Sequence, residues 1–212
     1  MKNKIALFIL FLGCSMESAG QGQITLSKLD ISNLPKEIKY EGKINNAVRW
    51  KDGSGDNIII TTETGPYSSK TEKDEDSKDA ELFAYHFISE GDSIKLTWKI
   101  YDFIKACPLD IEANFIKNTL QVTDLNNDGS GEVWLMYKTA CRSDVSPSDM
   151  KIIMYQKQQK FAMRGQNKVQ VSEMEFSGGD YKFDKGFTEG PNEFRVFAKS
   201  MWDKNLMPAK GD

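Results

Sequence analysis

One histidine among 212 residues removes several kinds of chemistry at once. A zinc site usually draws on several His and Cys ligands, and His86 stands alone. A Ser-His-acid triad would have to use His86, and no GxSxG run carries the serine. Neither a GxxxxGK[ST] nor a GxGxxG loop occurs, so the usual phosphate cradles are missing. Arginine-rich helices and a basic face are also missing from a chain of formal charge −3, which counts against nucleic acid as a partner. Beyond the N-terminus no apolar run is long enough to span a bilayer.

Cysteine is scarce as well, with three in the chain. No CxxC pattern is present, which excludes the common redox and zinc motifs. Cys14 lies in a leader-like N-terminus, MKNKIALFILFLGCSMESAGQGQ. There Lys2 and Lys4 form a positive region and Ile5 to Leu12 a short apolar one, so residues 1–20 read as a secretory signal. Two processing routes fit. Small residues Ser18, Ala19 and Gly20 allow cleavage before Gln21, while Leu12-Gly13-Cys14 resembles a lipobox in which Cys14 is lipidated. Loss of the leader takes Lys2, Lys4 and Glu17 with it and leaves the chain one unit more negative. Export makes a disulfide between Cys107 and Cys141 the favoured pairing, with two buried free thiols as the alternative.

What the chain does have is short β-branched and aromatic runs bounded by turn residues. Asn57–Thr64, Glu81–Ile88, Ser93–Ile104, Asn118–Thr123 and Glu132–Thr139 read as strands. In the third, Ile94, Leu96, Trp98 and Ile100 share a face by period two. KQQK joins Lys151–Tyr155 to Phe161–Arg164 as a hairpin, and SGGD joins Glu173–Phe176 to Tyr181–Phe183 in the same way. Ser68 to Glu81 reads as a solvated loop of mixed charge. The pattern predicts a mainly β fold of antiparallel sheets, a sandwich or a partial propeller. One amphipathic helix is expected at about 191–204. Phe194, Phe197, Ala198 and Met201 give it an apolar stripe for docking on a sheet.

Two stretches echo each other. DGSGDNIII at 52–60 aligns with DGSGEVWLM at 128–136, an offset of 76. Two related β units, starting near 46 and 118, follow from this within a single domain over 21–212.

The second copy sits in DLNNDGSGEVWL. Asp124, Asn126 and Asp128 offer side-chain oxygens at alternate positions, Gly129 permits the bend, the Ser130 carbonyl comes next, and Glu132 can close the set. Calcium requires oxygen ligands of this kind. Leu135 stands where an EF-hand needs its bidentate Glu, and the flanks are strand-like, so an EF-hand is excluded. A metal-free Asx-Gly turn is the alternative. In the first copy Val48 and Trp50 replace Asp124 and Asn126, so that turn is expected to be metal-free.

The loop resembles the calcium loops of FG-GAP and VCBS β-propeller repeats. More broadly, FIKNTLQVTDLNNDGSGEVWLMYKTACRSDVSPSDMKIIMY, with LPKEIKYEGKINNAVRW and GDNIIITTETG upstream, resembles a family of small exported bacterial proteins. That family is named for surface polysaccharide biosynthesis. The resemblance implies an exported protein, in the periplasm, at the cell surface or secreted. Its implied partner is surface polysaccharide or its assembly machinery, and it carries over no catalytic residue.

His86 shares a face with Leu82, Ala84 and Ile88 and reads as structural. Trp98 and Trp202 read as core. Trp50 and Trp134 are the candidates for stacking on a sugar ring, against packing as the plainer role. Paired carboxylates could hydrolyse glycans at separations of about 5–10 Å, but the sequence singles out no pair. The expectation is a non-catalytic envelope protein with a structural calcium loop; a carboxylate-dependent enzyme acting on surface glycans is the alternative.

Overall fold

The computed structural model describes residues 22–70, 76–91 and 93–207; the expected signal segment 1–20, with Cys14, lies outside them. Fifteen strands run in chain order: β1 (Gly22–Gln23), β2 (Ser27–Lys28), β3 (Lys43–Asp52), β4 (Gly55–Glu63), β5 (Tyr67–Ser68), β6 (Lys78–Glu90), β7 (Ser93–Cys107) and β8 (Asp110–Phe115), then β9 (Gln121–Asp124), β10 (Glu132–Arg142), β11 (Asp149–Gln156), β12 (Gln159–Gln166), β13 (Lys168–Gln170), β14 (Phe176–Gly178) and β15 (Tyr181–Phe183). Two α-helices follow among the described residues, α1 (Lys185–Glu189) and α2 (Asn192–Lys204).

Thirteen of the described strands form two antiparallel sheets, and β13 and β14 pair as a separate two-stranded one. In the first, β3, β4, β6 and β7 pair in succession as a meander, with β2 on β3 and β5 on β6. In the second, β9, β10, β11 and β12 repeat the same up-and-down order, flanked by β1, β8 and β15. The echoed DGSG motif occupies the β3–β4 turn in one meander and the end of the β9–β10 connection in the other. Each meander thus carries one copy of the motif.

The sheets stack face to face. Trp50, Ile59, Leu82, Trp98 and Ile100 of the first meet Val133, Leu135, Tyr137, Ile153 and Tyr155 of the second in the central core. Each outer face is covered too. Ile38 and the partly buried Leu29 and Leu34 pack on Ile58, Ile60, Phe83 and Tyr85. Helices α1 and α2 bring Phe187, Phe194, Ala198, Met201 and Trp202 onto Trp134, Met136, Ile152 and Met154. Central strands buried on both faces need continuous apolar runs, as in VWLMY of β10 and III of β4. Pro191 stands just before α2, and the expected stripe does dock on a sheet, although Phe197 is only partly buried.

Ser68–Glu81 is not all solvated loop, since β6 begins at Lys78 and Asp79 and Ala80 are buried, and two further local expectations fail for physical reasons. Ile94, Leu96, Trp98 and Ile100 do not share a face. A bulge between the His86–Trp98 and Phe87–Leu96 pairs inserts Thr97 as an extra residue, and a one-residue slip reverses which side each residue faces. Trp98 and Ile100 therefore enter the central core, Ile94 packs on the opposite face, and Leu96 is exposed. SGGD does not make a hairpin either. β14 pairs with β13, whereas β15 joins the sheet edge at β12. Gly178 and Gly179, at φ +75° and +101°, turn the chain from one partner to the other.

Cys107 and Cys141 form a disulfide, S–S 2.07 Å, joining the end of β7 to β10 across 34 positions. No helix among the described residues is long and apolar enough to cross a membrane.

Candidate functional site

The two DGSG motifs meet at one end of the stacked sheets. The Gly53 N–H donates to the Gly129 carbonyl at 2.6 Å, and Ser54 Oγ lies 2.6 Å from Ser130 Oγ. The backbones approach so closely that a Cβ on Gly53 would sit 2.6 Å from the Gly129 oxygen. Glycine at this position is therefore a steric requirement.

Asp52 ties the junction together. One carboxylate oxygen accepts from Ser54 N at 2.7 Å and Asn57 Nδ2 at 3.0 Å. The other accepts from Trp50 Nε1 at 3.0 Å and, across the junction, from Gly131 N at 2.9 Å. Burial raises this carboxyl, but the Gly131, Trp50, Ser54 and Asn57 donors together outweigh it and hold it below the usual carboxylate range. An ionised group accepting four donors stiffens the loops it joins.

Beside the junction lies a cleft of about 110 Å³, lined in part by Trp50, Asp52, His86, Trp98, Tyr155 and Lys157. Its wall is a run of stacked rings. His86 sits 5.4 Å from Trp50 and 4.9 Å from Trp98 between ring centres, and Trp98 stacks on Tyr155 at 4.2 Å. His86 is 5% exposed. Burial pushes its pKa down to about 4, against the pull of the Asp52 carboxylate, so the ring is neutral at physiological pH. The bulge residue Thr97 gives its hydroxyl proton to the His86 carbonyl at 3.0 Å, and the same oxygen lies 2.5 Å from Nδ1. A hydroxyl has one proton to give, so both contacts are made at once only when Nδ1 carries the ring proton, which leaves Nε2 as an acceptor. That buried Nε2 has no hydrogen-bond partner among the described residues.

Compared with protein-family models, curated proteins and solved structures, the chain finds no significant match.

The loop expected to bind calcium is folded onto itself. Asp124 accepts from Asp128 N and Gly129 N, both at 3.0 Å. Asn126 Oδ1 accepts from Asp128 N at 3.3 Å, and Asp128 Oδ1 from Ser130 N at 2.9 Å. The free Asp128 oxygen faces Gln156 Nε2 at 3.1 Å and Lys157 Nζ at 3.5 Å. Glu132 is fully buried and accepts from Thr123 Oγ1 and Leu125 N. Burial above all raises its carboxyl, with the Thr123 and Leu125 donors opposing and the Asp124 charge adding. Among the described residues no three His, Cys, Asp or Glu side chains are placed to hold one metal ion. The donor types suit calcium; as arranged, they form a hydrogen-bonded turn rather than a cage. The first copy is a two-residue hairpin turn in which Asp52 pairs with Gly55.

Of the two tryptophans named for sugar stacking, Trp50 lies on the cleft wall, 3% exposed. Trp134 does not serve. It faces away from Val133 and Leu135 as alternation requires, but α1 and α2 cover that face with Phe187, Phe194 and Phe197. The ring is fully buried and its Nε1 donates to Thr123. Sequence reasoning missed Asp52, Asn57, Thr97 and Tyr155. The echo marked Asp52; nothing local marked the others, because a bulge and the stacking of two sheets assemble them.

Proposed function

We propose that this chain is an exported, non-catalytic saccharide-binding module of the bacterial cell envelope, an accessory to surface polysaccharide assembly. The observation that carries the reading is His86: buried, neutral, stacked on Trp98 and tilted against Trp50, with no described partner for Nε2 beside the cleft. An unpaired buried acceptor costs about 1–3 kcal/mol, which a ligand hydroxyl donating to Nε2 would recover. Few apolar walls and a handful of fixed polar groups suit one sugar ring edge or its hydroxymethyl arm. Glycoside hydrolysis by the usual route needs two carboxylates on one cleft. Asp52 is the one acid among the described lining residues, and both of its oxygens are engaged.

Calcium belongs to this proposal as a structural ion at the Asp124–Glu132 loop. Binding there has to displace Lys157 and Gln156 from Asp128, so the affinity falls in the weak range of about 10⁻⁴–10⁻³ M found in extracellular modules.

A glycan array probed with the chain from Gln21 onward tests the reading. Retention of specific saccharides is expected, with His86→Phe, which keeps the ring stack, weakening it by about tenfold or more. Retention of none, or unchanged retention by His86→Phe, overturns it.

A further inference from the structure

Strand register places Tyr137, Lys151, Arg164 and Lys182 directly opposite one another on β10, β11, β12 and β15. Residues so paired point to the same side of a sheet, so the row forms a line across four strands. Tyr137 belongs to the central core, which fixes that side as the one facing the first sheet.

The first sheet does not reach the end of the row. Its edge strand β7 comes down on β11, where Trp98 stacks on Tyr155 and Asp102 pairs with Lys151 Nζ at 2.5 Å. Tyr137 OH donates to the same Asp102 at 2.9 Å. Beyond that edge the inward-facing Lys160, Arg164 and Lys182 are exposed, while the outward-facing Phe161 and Met163 are buried under the helices. β12 and β15 thus form a shelf stepping out from beneath β7.

Three cations side by side on neighbouring strands repel one another, and like charges directly opposite destabilise a sheet. Asp102 answers Lys151. Arg164, Lys160 and Lys182 have no ion pair among the described residues. Desolvation, and then the Arg164 charge, hold Lys160 below the ordinary lysine range, with Asp102 and Asp184 opposing. This concentration of positive charge lies on a chain whose formal charge is −3.

We propose that the β12–β15 shelf, floored by Lys160, Arg164 and Lys182, binds the carboxylate groups of an acidic saccharide chain. This rests on the saccharide reading and adds the ligand's charge and a second contact surface. Arg164 and Lys182 face each other on strands about 4.8 Å apart, and Lys160 lies about 13 Å along β12 from Arg164. Such a sparse, partly offset row suits a polymer carrying isolated carboxylates. Double-stranded DNA, with one charge per ~1.7 Å, needs a denser and uninterrupted positive face. Tyr155, opposite Lys160 and part of the cleft wall, connects shelf and cleft along one side of the sheet.

The test is affinity electrophoresis of the chain from Gln21 onward through gels holding polygalacturonate, neutral dextran or no polymer, with duplex DNA as a competitor. The proposal expects retardation by polygalacturonate that weakens with salt, is at least fivefold weaker in Arg164→Gln/Lys182→Gln, and resists DNA competition. The double variant is also expected to melt at the same or a higher temperature than the wild type at low salt, since repulsion is relieved. Retardation that survives the double substitution overturns the shelf alone and leaves the cleft reading standing. No retardation by either polysaccharide, with none on the glycan array, overturns both. Displacement by DNA at lower concentrations than polygalacturonate itself overturns the saccharide assignment in favour of a nucleic acid.

Discussion

Ser54 and Ser130, seventy-six positions apart, bring their hydroxyl oxygens to 2.6 Å, and seventy-six is the offset at which the sequence repeats itself. The echo is thus also a contact: equivalent turns of two meanders meet. Asp52 and the Gly53 N–H close the junction from either side. This junction locks the two sheets and shapes the cleft beside it.

Gly53→Ala tests the steric side of the lock. A methyl placed 2.6 Å from the Gly129 oxygen forces the turns apart and breaks their hydrogen bond. Overpacking of this kind costs about 1–3 kcal/mol. Urea unfolding is expected to show that loss, and a variant as stable as the wild type counts against the lock.

His86 sets a pH dependence. Its folded pKa of about 4 lies below the ordinary 6.5, so between those values the unfolded chain holds a proton that the folded chain lacks. Stability is full above about pH 6.5 and falls as pH drops toward 4. The gap corresponds to about 3 kcal/mol. His86→Phe should flatten this slope between pH 7 and 4.5; an unchanged slope assigns it elsewhere. Asp52 acts lower, because its depressed pKa gives stability that is present above about 3.8 and lost below it.

Removing the Cys107–Cys141 bridge, by reduction or in Cys107→Ser/Cys141→Ser, frees a closure of 34 positions. Chain entropy puts the loss at about 4 kcal/mol. Unfolding midpoints with and without reductant measure it, and coincident midpoints contradict a stabilising bridge.

Calcium should act weakly. At ten times its dissociation constant an ion adds about 1.4 kcal/mol, a rise of about 2–5 °C in Tm. The rise should appear at millimolar calcium and vanish in Asp128→Ala. Saturation at micromolar calcium would show a preformed cage, and no response up to 10 times about 1 mM would remove the ion from the account.

Legibility in the sequence followed the range of each signal. Most strand runs and the C-terminal helix stripe are local signals and appear in the structure, as does the cysteine pair; of the expected strand Glu173–Phe176 only Phe176 is in a strand. Thr97 shows where period two stops working: one inserted residue turns Leu96 outward and Trp98 inward, and no residue in SIKLTWKI announces it. Trp134 shows a second limit. Its alternation was readable, but whether its side met water depended on α1 and α2, some fifty residues later. The cleft needed both, since Thr97 orients His86 and the second sheet supplies Tyr155.

The most direct test of the junction is a double-mutant cycle on its central contact. Ser54→Ala, Ser130→Ala and the double variant would be unfolded in urea under one set of conditions. If the turns lock the sheets, the single losses exceed what the pair shows together, with a coupling of about 0.5–1.5 kcal/mol. Strictly additive losses would mean that the two turns lie side by side without holding each other.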